Sequence, residues 1–171
     1  MPVEPAQSTR SSALQLDAEA IVRGFAGGLA ATAAMSVVML AAQKAGLTGR
    51  LPPSKITDAM LAHVGVRPLV PSPAKKALTV LNHFAFGGAC GALFGLGQRL
   101  LTGRGAGSQA RAGAHVSAGL AFGTAVWAVS YAGWVPALGI MPSPKNDRPG
   151  RPTSMVIAHW VYGAALAKLV A

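Results

Sequence analysis

Two histidines carry the most specific chemistry in this chain. His83 opens the run His-Phe-Ala-Phe-Gly-Gly-Ala and His159 opens His-Trp-Val-Tyr-Gly-Ala-Ala, one pattern of His, aromatic, any residue, aromatic, Gly, small, Ala. Each lies inside a long apolar run, where an ionisable side chain is rare and turns toward other helices rather than lipid. Gly87 and Gly163 follow one helical turn later, on the face that carries the histidine. Three kinds of chemistry suit such a pair. Neutral imidazoles can hydrogen-bond to a carbonyl or to Ser, Thr or Asn of a neighbouring helix and glue a bundle together. Two imidazoles on two helices can be the axial ligands of a haem, with Gly87 and Gly163 leaving room for the macrocycle. Or the pair can line a proton or substrate path. The other two histidines, His63 and His115, complete no zinc spacing, and no Ser-His-Asp or Cys-His arrangement is present. The expectation is therefore no enzyme and no obligatory cofactor, with His83 and His159 as metal ligands only if haem is bound.

The elements that must position these residues are membrane helices. Of the 171 residues, 51% are hydrophobic and only 12% charged, with 21 glycines and a mean hydropathy of +0.42. A soluble domain carries about 25% charge, so short loops between apolar spans are indicated. The formal charge of +10 does not point to nucleic acid, because the basic residues flank the apolar runs, where they meet anionic headgroups. The expected fold class is all-α: a polytopic membrane protein, a four-helix bundle of transmembrane helices over about residues 21–42, 78–101, 114–135 and 153–170. Residues 1–20 read as a flexible polar tail. A short interfacial helix is expected over about residues 54–64, with Ser54 as its N-cap and Ile56, Ala59, Met60 and Val64 along one side. The glycine-rich stretch around Arg104 and Arg111 reads as a linker, and Trp127, Tyr131 and Trp134 as interfacial aromatics before Pro136.

Small residues recur four apart, the GxxxG spacing, in three spans: Gly24 and Gly28; Gly87, Gly91 and Gly95; Gly119 and Gly123, with Gly163 in the fourth. Such faces let helix backbones approach closely, and these eight glycines are the expected packing positions. The His pattern repeats between spans two and four. A looser echo, Gly-Leu-Ala-Ala-Thr-Ala-Ala from Gly28 and Gly-Leu-Ala-Phe-Gly-Thr-Ala from Gly119, links spans one and three. Two tandem helix hairpins result, related by an axis along the membrane normal, with His83 and His159 at similar depth.

Lys and Arg number nine beside the first and third loops (Lys44, Arg50, Lys55, Arg67, Lys75, Lys76, Lys145, Arg148, Arg151) and six on the other side. The positive-inside rule puts the nine in the cytoplasm and both termini outside. The segments from Gly28, His83, Ser130 and Ala158 together resemble the YagU-like family of small uncharacterised bacterial inner-membrane proteins. That resemblance implies a multi-pass protein of the inner (plasma) membrane without an assigned reaction. The functions expected are helix association, as a homo-oligomer or an accessory subunit with a membrane-protein partner in the lipid bilayer; a small transport or proton-conducting bundle using His83 and His159; or a bis-His haem bundle.

Overall fold

The computed structural model describes residues 5–102 and 111–170, whose regular elements are all helices, with no strand among them. The elements are α1 (Pro5–Lys44), α2 (Pro52–His63), a 3₁₀ turn (Arg67–Leu69), α3 (Ser72–Thr102) and α4 (Arg111–Val129). A π-helical turn (Ser130–Trp134) then runs on into α5 (Val135–Ala137), and α6 (Arg151–Val170) ends the fold. Among the described residues, four stretches are long and apolar enough to cross a bilayer: Leu14–Lys44, Ser72–Leu101, His115–Ala137 and Arg151–Val170. The shortest, of 20 residues, reaches about 30 Å at 1.5 Å per residue, the thickness of a hydrocarbon core. The chain is thus a multi-pass, four-span membrane protein.

Helix ends at the α2 side are set by glycine. Gly46, Gly65 and Gly139 have φ of +76°, +74° and +68°. The residue after each sends its N–H back five positions, Leu47 to Ala42, Val66 to Leu61 and Ile140 to Val135. This left-handed stop satisfies carbonyls that a helix end leaves open. Pro136 lies in the last turn of the third span, which ends at Ala137. It has no N–H and its ring crowds the carbonyl four residues back; the π turn just ahead widens the backbone, and Val135 N–H reaches Ser130 O instead.

Two seams of glycine hold the bundle. A Cβ on Gly24 or Gly28 of α1 would collide with the carbonyl of Gly91 or Gly87 on α3. One on Gly95 would strike the backbone of Ala20 and Gly24. In the second seam, a Cβ on Gly119 of α4 would meet Gly163 O, one on Gly123 would meet His159 O, and one on Gly163 would meet Gly119 O. Backbones this close exchange dispersion contacts along their length, the packing that lipid cannot replace. The halves correspond: aligning the echo from Gly28 with that from Gly119, and His83 with His159, turns the Gly28–Gly87 contact into the Gly119–Gly163 contact. Each hairpin thus makes a matched glycine contact at a matched place. Packing of α1 on α6 joins them, so the order across the bundle is α3, α1, α6, α4. The row curls until Phe94 of α3 meets Phe122 of α4, ring centroids 5.1 Å apart.

Several details depart from expectation. The segment ahead of the first span, expected as a flexible tail, is helical over its described residues. From Pro5 it continues the helix of the span, because Ala, Leu and Gln propagate a helix well and Asp17 is drawn to Arg99 of α3. Ser54 does not cap α2; the helix begins at Pro52 after Leu51 with no side-chain cap, since proline's fixed φ suits the first helical position. On α2, Pro52 and Thr57 are buried and Ile56 packs on the core, so the helix rests on the bundle. Tyr131 is no interfacial aromatic: it is 3% exposed. The linker expected around Arg104 lies outside the described residues for 103–110.

Candidate functional site

Between the Phe94–Phe122 contact and α2 lies a cavity of about 300 Å³. His83 and His159 both line it. Around them stand Met35 and Met39 of α1, Phe86 and Cys90 of α3, Val126 and Ser130 of the third span, and Tyr162 of α6. Under the repeat alignment these fall into equivalent pairs: Met35 with Val126, Met39 with Ser130, His83 with His159, Phe86 with Tyr162. The cavity therefore straddles the axis relating the two hairpins, the place where repeat-built membrane proteins put their ligand sites.

The wall is apolar with a few polar groups, the composition of a small-molecule pocket. Among the described residues, none that lines it carries a formal charge at neutral pH with His neutral. Methionine is over-represented, with Met35, Met39, Met60 and Met155 all on the wall; its unbranched, polarizable side chain adapts to irregular apolar guests. Cys90 is a buried free thiol and acts here as one more small apolar wall residue.

The hydrogen-bonding groups are not equivalent across the axis. His159 Nδ1 lies 2.7 Å from Met155 O, which only a protonated Nδ1 can use, leaving Nε2 as an acceptor. Tyr162 donates to Gly87 O at 2.7 Å, bridging the two hairpins, whereas its counterpart Phe86 has no hydroxyl. His83 Nε2 is buried without a hydrogen-bond partner. Thr57 Oγ1 and Trp127 Nε1 share that condition, but neither residue lines the cavity. An orphan of this kind costs about 1–3 kcal/mol. Asn82, beside His83, sends Nδ2 toward Met60 Sδ at 3.9 Å. His63, the last residue of α2, is exposed, and His115 stands half-buried at the start of the third span.

At the α2 side the cavity is closed by a polar cluster that sequence reasoning missed. Arg151 donates through Nη1 to Asp147 Oδ1 and through Nε to Thr48 O at 2.7 Å. Tyr131 donates to Asp147 Oδ2, and Arg148 N–H to Asp147 Oδ1 at 2.7 Å. The side chains of Arg151 and Asp147 are 7% and 2% exposed. Each charge is paired and further hydrogen-bonded, the condition under which buried ions are tolerated. The cluster ties the loop after α5 to the loop after α1, where Arg148 also reaches Gly46 O at 3.1 Å. Tyr131 joins it to the cavity, its ring on the wall and its hydroxyl on Asp147. The only signal in the sequence was the i, i+4 spacing of Asp147 and Arg151 ahead of the last span. A separate pair, Arg50 and Asp58, holds the approach to α2.

The eight glycines expected at packing positions are all in the seams just described, not in the cavity wall, except that Gly87 also touches the cavity. The haem reading fits poorly with what lines the site: the carboxylates of a haem need cationic partners, and the described wall supplies none. Among the described residues no three of His, Cys, Asp and Glu gather as a metal centre requires.

The chain belongs to a family of unknown function, DUF6789, whose model matches residues 18–171. No curated protein and no solved structure matches it.

Proposed function

We propose that this protein binds a lipid-soluble small molecule within the membrane, in the cavity where its two hairpins meet. The observation that carries the reading is the pairing of the wall: four sets of repeat-equivalent positions, the matched histidines among them, face one another across a single cavity. This develops the expectation of a transport bundle using His83 and His159, with binding as the part that the geometry supports. The role requires no covalent chemistry, so we read the protein as a binding or transport component rather than an enzyme.

Association as a homo-oligomer or accessory subunit has less support. The small-residue faces that suggested it are spent inside the chain, while large apolar side chains such as Val37, Leu81, Leu93 and Val129 face outward, as lipid contact favours. We place the protein in the bacterial inner membrane, with the lysine- and arginine-rich α2 side in the cytoplasm. The positive-inside count and the YagU-like pattern around His83 and His159 support that placement.

The test is native mass spectrometry of the detergent-purified chain beside the cavity-filling variant Val126→Trp. Wild type should retain a co-purifying lipid-soluble adduct that the variant loses while keeping its helical circular dichroism. Equal retention by both, or no adduct in wild type after incubation with a total membrane lipid extract, refutes the reading.

A further inference from the structure

Three observations narrow the ligand. The described cavity wall has no charged side chain, and a buried carboxylate, phosphate or ammonium without a partner is too costly to bring in. One wall group, His83 Nε2, is buried and unpartnered. And the wall reaches the outer surface on one side: Phe86 and Met60 both line the cavity, yet are 45% and 53% exposed. They lie on α3 and α2, which pack against each other beside the cavity.

Taking the intramembrane binding reading as its basis, we infer that the ligand is an uncharged lipid with a terminal hydroxyl or carbonyl, which reaches the cavity sideways from the bilayer past Phe86 and Met60 and bonds through that oxygen to His83. An imidazole nitrogen serves either oxygen function, accepting from a hydroxyl or, as the other tautomer, donating to a carbonyl. The methionine-rich wall takes the hydrocarbon part without demanding one shape. His159 Nδ1 is held by Met155 O, so that ring can only accept through Nε2, and the Tyr162 hydroxyl is held by Gly87 O; the buried ring nitrogen left without a partner is His83 Nε2, so the oxygen is drawn to the His83 side of the axis.

Tryptophan quenching in lipid nanodiscs tests this, because Trp134 lies on the cavity wall. The probes are a brominated long-chain alcohol, the ketone, the alkane and the fatty acid of equal chain length. The alcohol and ketone should quench at concentrations about fivefold lower than the alkane, the effect of one net hydrogen bond, and Trp134→Phe should remove that component. His83→Phe should bind alcohol and alkane alike, and His83→Gln, which keeps a donor and an acceptor, should recover part of the preference. Equal quenching by alcohol, ketone and alkane in wild type overturns this inference and leaves intramembrane binding standing. Tighter binding of the fatty acid than of the alcohol overturns the neutral-ligand argument. No Trp134-dependent quenching by any probe removes both. The wild-type comparison decides even if the His83 variants fail to fold.

Discussion

Alanine at Gly91 is a one-methyl perturbation whose effect follows from the seam geometry. The added Cβ would sit 2.6 Å from Gly28 Cα and 2.9 Å from Gly28 N, and closer still to Gly24 O. All of these are backbone atoms, so no side-chain rotation relieves the clash and the helices must separate. Overpacking costs about 1–3 kcal/mol where side chains can adjust; with backbone on both sides the upper end, about 3 kcal/mol, applies. Replacing glycine by alanine within a helix returns up to about 1 kcal/mol, leaving a net loss of about 2 kcal/mol. Gly97 lies on the same helix, and a Cβ there meets nothing within 4 Å, so Gly97→Ala should be neutral or slightly stabilising. The two variants thus differ by about 3 kcal/mol. Steric-trap or denaturant unfolding in bicelles measures the difference. Combining Gly91→Ala with Gly163→Ala, which lies in the other seam, should give nearly additive losses. If Gly91→Ala is as stable as Gly97→Ala, the close α1–α3 approach is wrong and the seam argument falls with it.

Arg151→Ala should cost about 3–5 kcal/mol, because Asp147 is left buried without its cation; thermal unfolding in detergent reports it, and a loss below about 1 kcal/mol would mean that the pair is solvated. Tyr162→Phe removes only the hydroxyl that bridges to Gly87 O and should lower stability by about 1 kcal/mol in the same assay; no change would show that the bridge is not formed. Gly65→Ala meets no neighbouring atom but must hold φ at +74°, so it should destabilise by about 1–2 kcal/mol through backbone strain alone. Equal stability there would mean that the α2 terminus relaxes freely.

What was legible depended on how locally the information is written. Apolar run length marks a membrane helix by itself, and all four spans stand where the runs lie, the first two beginning well ahead of the expected residues 21 and 78, at Leu14 and Ser72. The His-aromatic-Gly pattern identified the repeat because both copies kept side chains facing the same cavity. The partner of each glycine face was not legible: Gly28 and Gly119 look equally ready to meet another chain, and only the fold shows that each is used within its own hairpin. Asp147 escaped notice because a single acid in a proline-rich loop reads as solvated. Its burial depends on Tyr131, Thr48 and Arg151 converging from three separate segments. The π turn was equally hidden, since Pro136 in isolation signals a stop and the widened turn that accommodates it has no motif of its own.

The correspondence between the hairpins has a consequence for how the site can change. Two identical subunits around one cavity would have to alter both walls with every mutation, and a guest would sit in either of two rotation-related poses at equal energy. Joined in one chain, the walls evolve separately. Phe86 and Tyr162 occupy matched places, yet only Tyr162 spans the axis; His83 and His159 do likewise, yet only His159 is fastened to its own helix. The cavity has thereby acquired a front and a back, two faces that the matched positions alone would not distinguish.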